Sequence, residues 1–136
     1  MPDNNEPIRI GRISRSIEKS LDISLTGSVL IYMDAESLDR LAEKRPTDYL
    51  AYIGEIASIL KDPDFVGFEP EKERFVFVRS YFRPATWTFV YLTIVKRGRP
   101  SQWMFAGINA SPALAVPRTY DNIAFTRVSD HKTISK

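Results

Sequence analysis

Residues 49–68, YLAYIGEIASILKDPDFVGF, decide how the rest of the chain is read. Tyr49, Tyr52, Ile53, Ile56, Ala57, Ile59 and Leu60 recur at three- and four-residue spacings, which predicts a helix with one broad apolar face over 49–60. Asp62-Pro63 stops it, because the residue before a proline is driven out of the α region. Phe65, Val66 and Phe68 then lead, as extended chain, into a β-rich half. Taken alone this is a core helix, and a proline turn feeding a meander leaves a cleft beside it.

Toward the C-terminus, 69–73 (EPEKE) reads as a polar hairpin loop. In the strand that follows, Phe75, Phe77 and Arg79 face one way and Val76, Val78 and Ser80 the other, so both faces are largely apolar and an inner strand is expected. A turn at 83–86 leads to a second strand, alternating Trp87, Phe89, Tyr91, Thr93 and Val95 against Thr88, Val90, Leu92, Ile94 and Lys96. Arg97-Gly98-Arg99-Pro100 is a turn, and 102–108 a third apolar strand. Two prolines within 111–117 argue against a regular central strand there. Residues 119–128 suit a last edge strand, and 129–136 a frayed tail that holds the lone histidine, His131.

Toward the N-terminus, Asp34 suits the N-cap of a helix over 35–44, since its carboxylate can accept from free backbone N–H groups of the first turn. Leu38, Leu41 and Ala42 share one face, and Arg45 continues it, so its guanidinium must reach water, a carboxylate or a phosphate. Residues 28–33 (SVLIYM) are β-branched and aromatic, hence a strand. Ile13, Ile17 and Leu21 predict a short amphipathic helix over 14–21, within an N-terminal arm of residues 1–27. The domain proper is expected over 28–128.

A chain of 136 residues with 43% apolar content can bury one core. No run of 18 apolar residues exists and the N-terminus is polar, so neither a membrane span nor a signal core is expected. Zero cysteines exclude disulfides and thiolate sites. The single histidine offers little for zinc, and a reducing, cytoplasmic setting is favoured. The net charge of +2 hides an asymmetry: residues 1–73 hold 9 Lys/Arg against 15 Asp/Glu, whereas 74–120 hold seven cations (Arg74, Arg79, Arg83, Lys96, Arg97, Arg99, Arg118) and no acid. Such a stretch either attracts a polyanion or merely blunts exposed strand edges. Tyr81, Trp87, Tyr91 and Trp103 interleave with these cations, the pattern for stacking unpaired bases. At least two of the four are expected in the core. Asp34, Glu36, Asp39 and Glu43 read as a solvated helix face, and Asp62 and Asp64 as turn and capping acids.

The pattern Leu41-x-x-x-Arg45-Pro46, followed by Tyr49-Leu50-x-x-Ile53-x-x-Ile56-x-x-Ile59-Leu60-x-x-Pro63-Asp64-Phe65-Val66-Gly67, resembles the phage-associated branch of the barnase/EndoU/colicin/RelE-like (BECR) nucleases. Strands at 74–80, 88–96 and 102–109 fit that family's meander, and the resemblance covers about 28–111. It implies an α+β fold, with an N-terminal strand and two helices packed on an antiparallel meander of about four strands. It also implies a ribonuclease that needs no metal or cofactor: the substrate's 2′-hydroxyl attacks the adjacent phosphate, while the protein accepts and donates a proton and stabilises the dianionic transition state.

Where family members typically carry Lys/Arg-His-Pro, this chain has Lys44-Arg45-Pro46. Arginine can clamp a phosphate but does not shuttle protons near neutrality. A family Lys/Arg late in the first meander strand falls on Arg79, and a family Thr/Ser falls loosely on Ser111. Tyr81 and Arg83 could position substrate or move a proton. The catalytic candidates are therefore Arg45, Arg79, Tyr81 and Ser111, with Lys44, Arg83, Lys96, Arg97, Arg99 and Arg118 as RNA-binding candidates. Expected partners are RNA, tRNA among them, and a cognate inhibitor or phage protein, with action in the cytoplasm of its own or a target cell. Three readings of the cleft stay open: an active nuclease built on arginine and tyrosine, a nucleic-acid-binding remnant, or an Arg45 that is merely salt-bridged to Glu43 or Asp48. A non-catalytic module docking a protein partner is the alternative from another class.

Overall fold

Alternation of apolar residues builds the strands and short capping signals bound the helices, and the two are joined as follows. The computed structural model describes residues 7–44, 55–83, 86–98, 101–113, 119–120 and 123–128. In chain order they form β1 (Ile8–Arg12), α1 (Arg15–Leu21), β2 (Leu30–Met33), α2 (Ala35–Lys44), α3 (Ile56–Lys61), β3 (Phe65–Glu69), a 3-10 turn (Pro70–Lys72), β4 (Arg74–Arg83), β5 (Thr86–Arg97), β6 (Gln102–Ala113), β7 (Thr119–Tyr120), β8 (Ile123–Ala124) and β9 (Thr126–Arg127).

The architecture is α+β. Among the described residues one seven-stranded sheet has the order β1-β2-β6-β5-β4-β3-β9, antiparallel throughout except for the parallel β2–β6 pair, and β7–β8 form a separate ladder. The expected four-strand meander is its centre, β3 to β6. Three strands extend that meander. The largest surprise is β1: within the N-terminal arm predicted over 1–27, β1 pairs with β2, and Ile13 and Ile17 lie fully buried in the main core. Isoleucines spaced for a helix flank a strand of only five residues, too short for its own alternation to register.

The helices begin and end where local chemistry directs. Ser14 Oγ accepts from Ile17 N–H at 3.3 Å, and Asp22, in the left-handed region at φ 57°, closes α1. Asp34 Oδ1 accepts from Ser37 N–H at 2.7 Å and caps α2, as expected. The apolar run at 49–60 is described only from residue 55: α3 buries Ile56, Ile59 and Leu60 and stops at Lys61, before Asp62-Pro63. Ala57, expected on the buried face, is exposed, because α3 has one narrow contact line. Burial of Leu38, Leu41 and Ala42, and the segment 45–54, lie outside the described residues.

The sheet has two apolar faces. The front carries Phe75, Phe77, Leu92, Ile94 and Phe105 under α1 and α3, and the back carries Val76, Val78, Phe89 and Tyr91 against Ile123 and Phe125. This bears out the expected alternation of β4 and β5. α3 touches both β1 and β4, which stand four places apart in the sheet.

Two expectations near the C-terminus are corrected. β6 runs on through Ser111 and Pro112 to Ala113, opposite Trp87. Proline is tolerated because β2 pairs only with Trp103 and Met104, so the far half of β6 has an outer edge that β2 does not reach. Instead of one edge strand, the described residues of 119–128 form β7, β8 and β9, of which β9 lies beside β3 in the sheet.

Candidate functional site

Period two on β4 sends Phe75, Phe77, Arg79 and Tyr81 to the front. The phenylalanines are fully buried, while Arg79 and Tyr81 are half-buried at the rim of the core, where α3 overhangs the strand. Nη1 of Arg79 donates to the carbonyls of Ser58 and Asp62, at 3.4 Å each. A cation there suits the negative end of the helix, where Ser58 O also accepts from the Asp62 N–H at 2.9 Å. The Arg79 guanidinium carbon also sits 5.9 Å from the centroid of the Tyr81 ring. At the other end of α3, Glu55 occupies the cap position without a side-chain capping bond. Its Oε1 instead accepts a hydrogen bond from the Tyr81 hydroxyl at 3.2 Å. A carboxylate, a phenol and a guanidinium are thus gathered over one short helix.

Asp64 locks this arrangement from behind. Its Oδ2 accepts from both the N–H and the hydroxyl of Ser80 at 2.8 Å each, and its own N–H donates to Val78 O at 2.8 Å. The acid expected to serve a local turn therefore ties the start of β3 to β4, beside Arg79. Each bond is short, and the backbone position of Arg79 and Tyr81 follows from them.

Ser111 does not join the cluster. On β6, Trp103 and Phe105 face front, and strict alternation would have sent Ser111 to the front as well. A bulge intervenes: Thr93 pairs with Gly107 and Ile94 with Phe105, leaving Ala106 unpaired and exposed. One extra residue inverts every later side chain. Ile108 and Ala110 now face front, and Ser111, opposite Phe89, is exposed on the back. Arg79 and Tyr81 therefore share a face, and Ser111 lies on the other.

The cations of the acid-free stretch are spread over both faces. Arg74 donates through Nε and Nη2 to Glu69 Oε1, at 3.1 and 2.7 Å. Lys96 Nζ lies 5.6 Å from the centroid of the Trp103 ring, a cation–π distance. Arg97 Nη2 reaches Asp34 Oδ2 at 3.3 Å. Burial works against the charged form of Asp34, but the Ser37 side chain and backbone N–H, with Arg97 and Arg40, outweigh it and hold the carboxyl below its usual range. Glu36, Asp39 and Glu43 are exposed, the solvated face expected for α2. Arg45, Arg99 and Arg118, and the side chains of Lys44 and Arg83, lie outside the described residues, as does His131.

Of the four interleaved aromatics, Tyr91 and Trp103 are buried, Tyr81 is half-buried and Trp87 is exposed. Phe82, across the ladder from Trp87, is exposed too.

Glu55, Asp64 and Ser80 were not singled out by sequence as site residues. Glu55 is the single acid of the run 49–60, and no spacing rule links it to Tyr81, 26 residues later. The alternation of β4 did place Ser80 opposite Arg79, but no spacing rule links it to Asp64. The chain matches no family model, no curated protein and no solved structure.

Proposed function

We propose that this domain binds RNA and cleaves it without a metal ion, as a BECR-like nuclease of phage or mobile-element type acting in the cytoplasm. The observation that supports this most is the Glu55–Tyr81–Arg79 cluster, which offers the groups that 2′-hydroxyl transesterification requires. Glu55 accepts the proton of the 2′-hydroxyl as its oxygen bonds to phosphorus. Tyr81 gives a proton to the departing 5′-oxygen as that bond breaks. The products are a 2′,3′-cyclic phosphate and a free 5′-hydroxyl. Arg79 faces the charge that develops on the phosphate oxygens, and Arg45, where the resembled family has histidine, adds a second clamp. Unpaired RNA, including tRNA loops, is the substrate class, and a cognate inhibitor would be the natural partner of such an activity.

A second reading is favoured by one observation. Nη1 of Arg79 already serves two carbonyls of α3, as a purely structural arginine would. On that reading the domain is a non-catalytic module.

Incubating purified protein with total RNA, with and without EDTA, decides between them. Fragments with cyclic-phosphate ends, unaffected by EDTA and lost in Glu55→Gln, support the nuclease. Salt-sensitive RNA binding with no cleavage leaves a binding module. Neither cleavage nor binding removes the RNA reading.

A further inference from the structure

We propose that Arg9 and Arg12 form a phosphate-binding strip on the back of β1, where it takes two neighbouring phosphates of an unpaired RNA strand; this rests on the RNA reading above. A bulge makes the strip. Ile8 pairs with Met33 and Arg9 with Tyr32, but Gly11 pairs with Ile31 and Arg12 with Leu30, so Ile10 is an extra residue. Strict alternation would send Arg9 and Arg12 to opposite faces. With the bulge, Ile10 and Gly11 both turn toward the front core, where Ile31 and Met33 are buried. Arg9 and Arg12 therefore share the back with Tyr32 and Leu30. Their ladder partners stand two residues apart, which sets the two arginines about 7 Å apart along the strand. Successive phosphates of an extended single strand have a comparable spacing.

Charge selects the occupant. Residues 7–17 contain Arg9, Arg12 and Arg15 and no acid, although 1–73 as a whole is acidic. Arg9 and Arg12 are exposed, and among the described residues neither side chain has a hydrogen bond or an ion pair. The described cations of 74–120 are all engaged: Arg74 by Glu69, Arg97 by Asp34, Lys96 by the Trp103 ring and Arg79 by the carbonyls of α3. Asp34, just beyond β2, is already held by Arg97 and the Ser37 N–H, and α2 with its other acids packs against β6. Two uncompensated guanidiniums side by side, each a fork that matches phosphate oxygens, suit a ligand with repeated anionic groups. Tyr32, directly across the ladder from Arg9, adds a partly exposed ring to the same face. An aromatic among cations fits a nucleic acid, with bases to stack, better than an acidic polypeptide. β1 also ends the sheet among the described residues, so an extended strand can lie along it.

The test titrates the full chain with a short labelled 2′-O-methyl oligoribonucleotide, which cannot be cleaved through its 2′-oxygen, at several salt concentrations. Each phosphate neutralised on a single strand contributes about 0.7 to the log–log slope of affinity against salt. Arg9→Gln and Arg12→Gln should each flatten that slope by about 0.7, and the double variant by about 1.4, with melting temperatures unchanged. Lys72→Gln removes the same single charge from an exposed turn between Glu71 and Glu73, and should leave the slope as it is. Arg9→Lys with Arg12→Lys keeps both charges and should keep the slope. Tyr32→Leu should weaken binding about 5-fold or more at an unchanged slope, through loss of one stacked base. If wild type binds RNA and the double glutamine variant keeps the wild-type slope, the arginines only guard the sheet edge, and the RNA reading stands without them. An equal drop in Lys72→Gln makes the effect one of net charge and overturns the strip. Binding of poly-glutamate but not of the oligonucleotide makes it a protein-docking surface. If wild type binds no RNA at all, the strip and the RNA reading fall together.

Discussion

The hydroxyl of Tyr81 donates to the carboxylate of Glu55 at 3.2 Å, joining β4 to the start of α3 across 26 residues of sequence. Glu55 makes this bond instead of a side-chain cap at the start of α3, and the Tyr81 ring also lies 5.9 Å from the Arg79 guanidinium carbon. Glu55→Gln preserves shape and an acceptor oxygen but removes the proton acceptor. RNA cleavage should fall by roughly 10²–10⁴ in kcat, the usual share of acid–base catalysis, with the melting temperature nearly unchanged. Initial rates and cyclic-phosphate ends measure it, and an unchanged rate would acquit Glu55.

Arg79→Ala removes two long bonds to helix carbonyls and a guanidinium–ring contact. Because the group is half-exposed, the stability cost should be modest, about 1–2 kcal/mol by urea unfolding. Arg79→Lys should recover part of that stability but little of any cleavage, since an ammonium cannot present a paired fork to a phosphate. Parallel recovery of both would mean that the arginine acts only through the helix.

Asp34→Ala should destabilise the protein by about 1 kcal/mol at neutral pH through loss of the α2 cap. The folded carboxyl titrates below its unfolded value, so its contribution is complete above the unfolded value and is lost as pH falls through the folded one. The gap between wild type and variant should therefore hold from neutral pH to about 4 and narrow below that. Unfolding curves across this range test the sign, and a gap that widens on acidification would contradict it.

Gly67→Ala and Gly107→Ala should behave oppositely. A Cβ at Gly67 would lie 2.5 Å from Ile123 Cγ2 and 2.7 Å from the carbonyl oxygen of Ala124, where β8 crosses β3. Backbone must move there, at a cost of about 1–3 kcal/mol. At Gly107 nothing lies within 4 Å, and the change should stay within about 0.5 kcal/mol. Thermal melts of the two variants decide whether β8 is packed as described.

Ile56→Ala should cost about 2–5 kcal/mol, because a fully packed side chain leaves a cavity under α3. Ala57→Ser and Ser58→Ala, both on the exposed side, should change stability by no more than about half a kcal/mol. Similar losses at 56 and 57 would mean that the helix presents a broader face than the structure has.

What the sequence determined by itself is everything whose cause lies within a few residues. The Asp34 cap, the stop at Asp62-Pro63, the helix at 15–21 and the two-faced alternation of β4 and β5 were all legible, because capping bonds and side-chain period are local. The tertiary structure decided what depends on register and strand order. Ala106 bulges out of β6 and so turns Ser111 to the back, a one-residue shift that no apolar pattern announced. β1 joins the sheet because β2 offers it an edge, and α3 touches both β1 and β4 only once that sheet has assembled. Glu55 meets Tyr81, and Arg79 meets the end of α3, only after those long-range pairings have formed. A hydrogen bond between residues 26 apart is fixed by how strands and helix pack, and that packing is a property of the whole core.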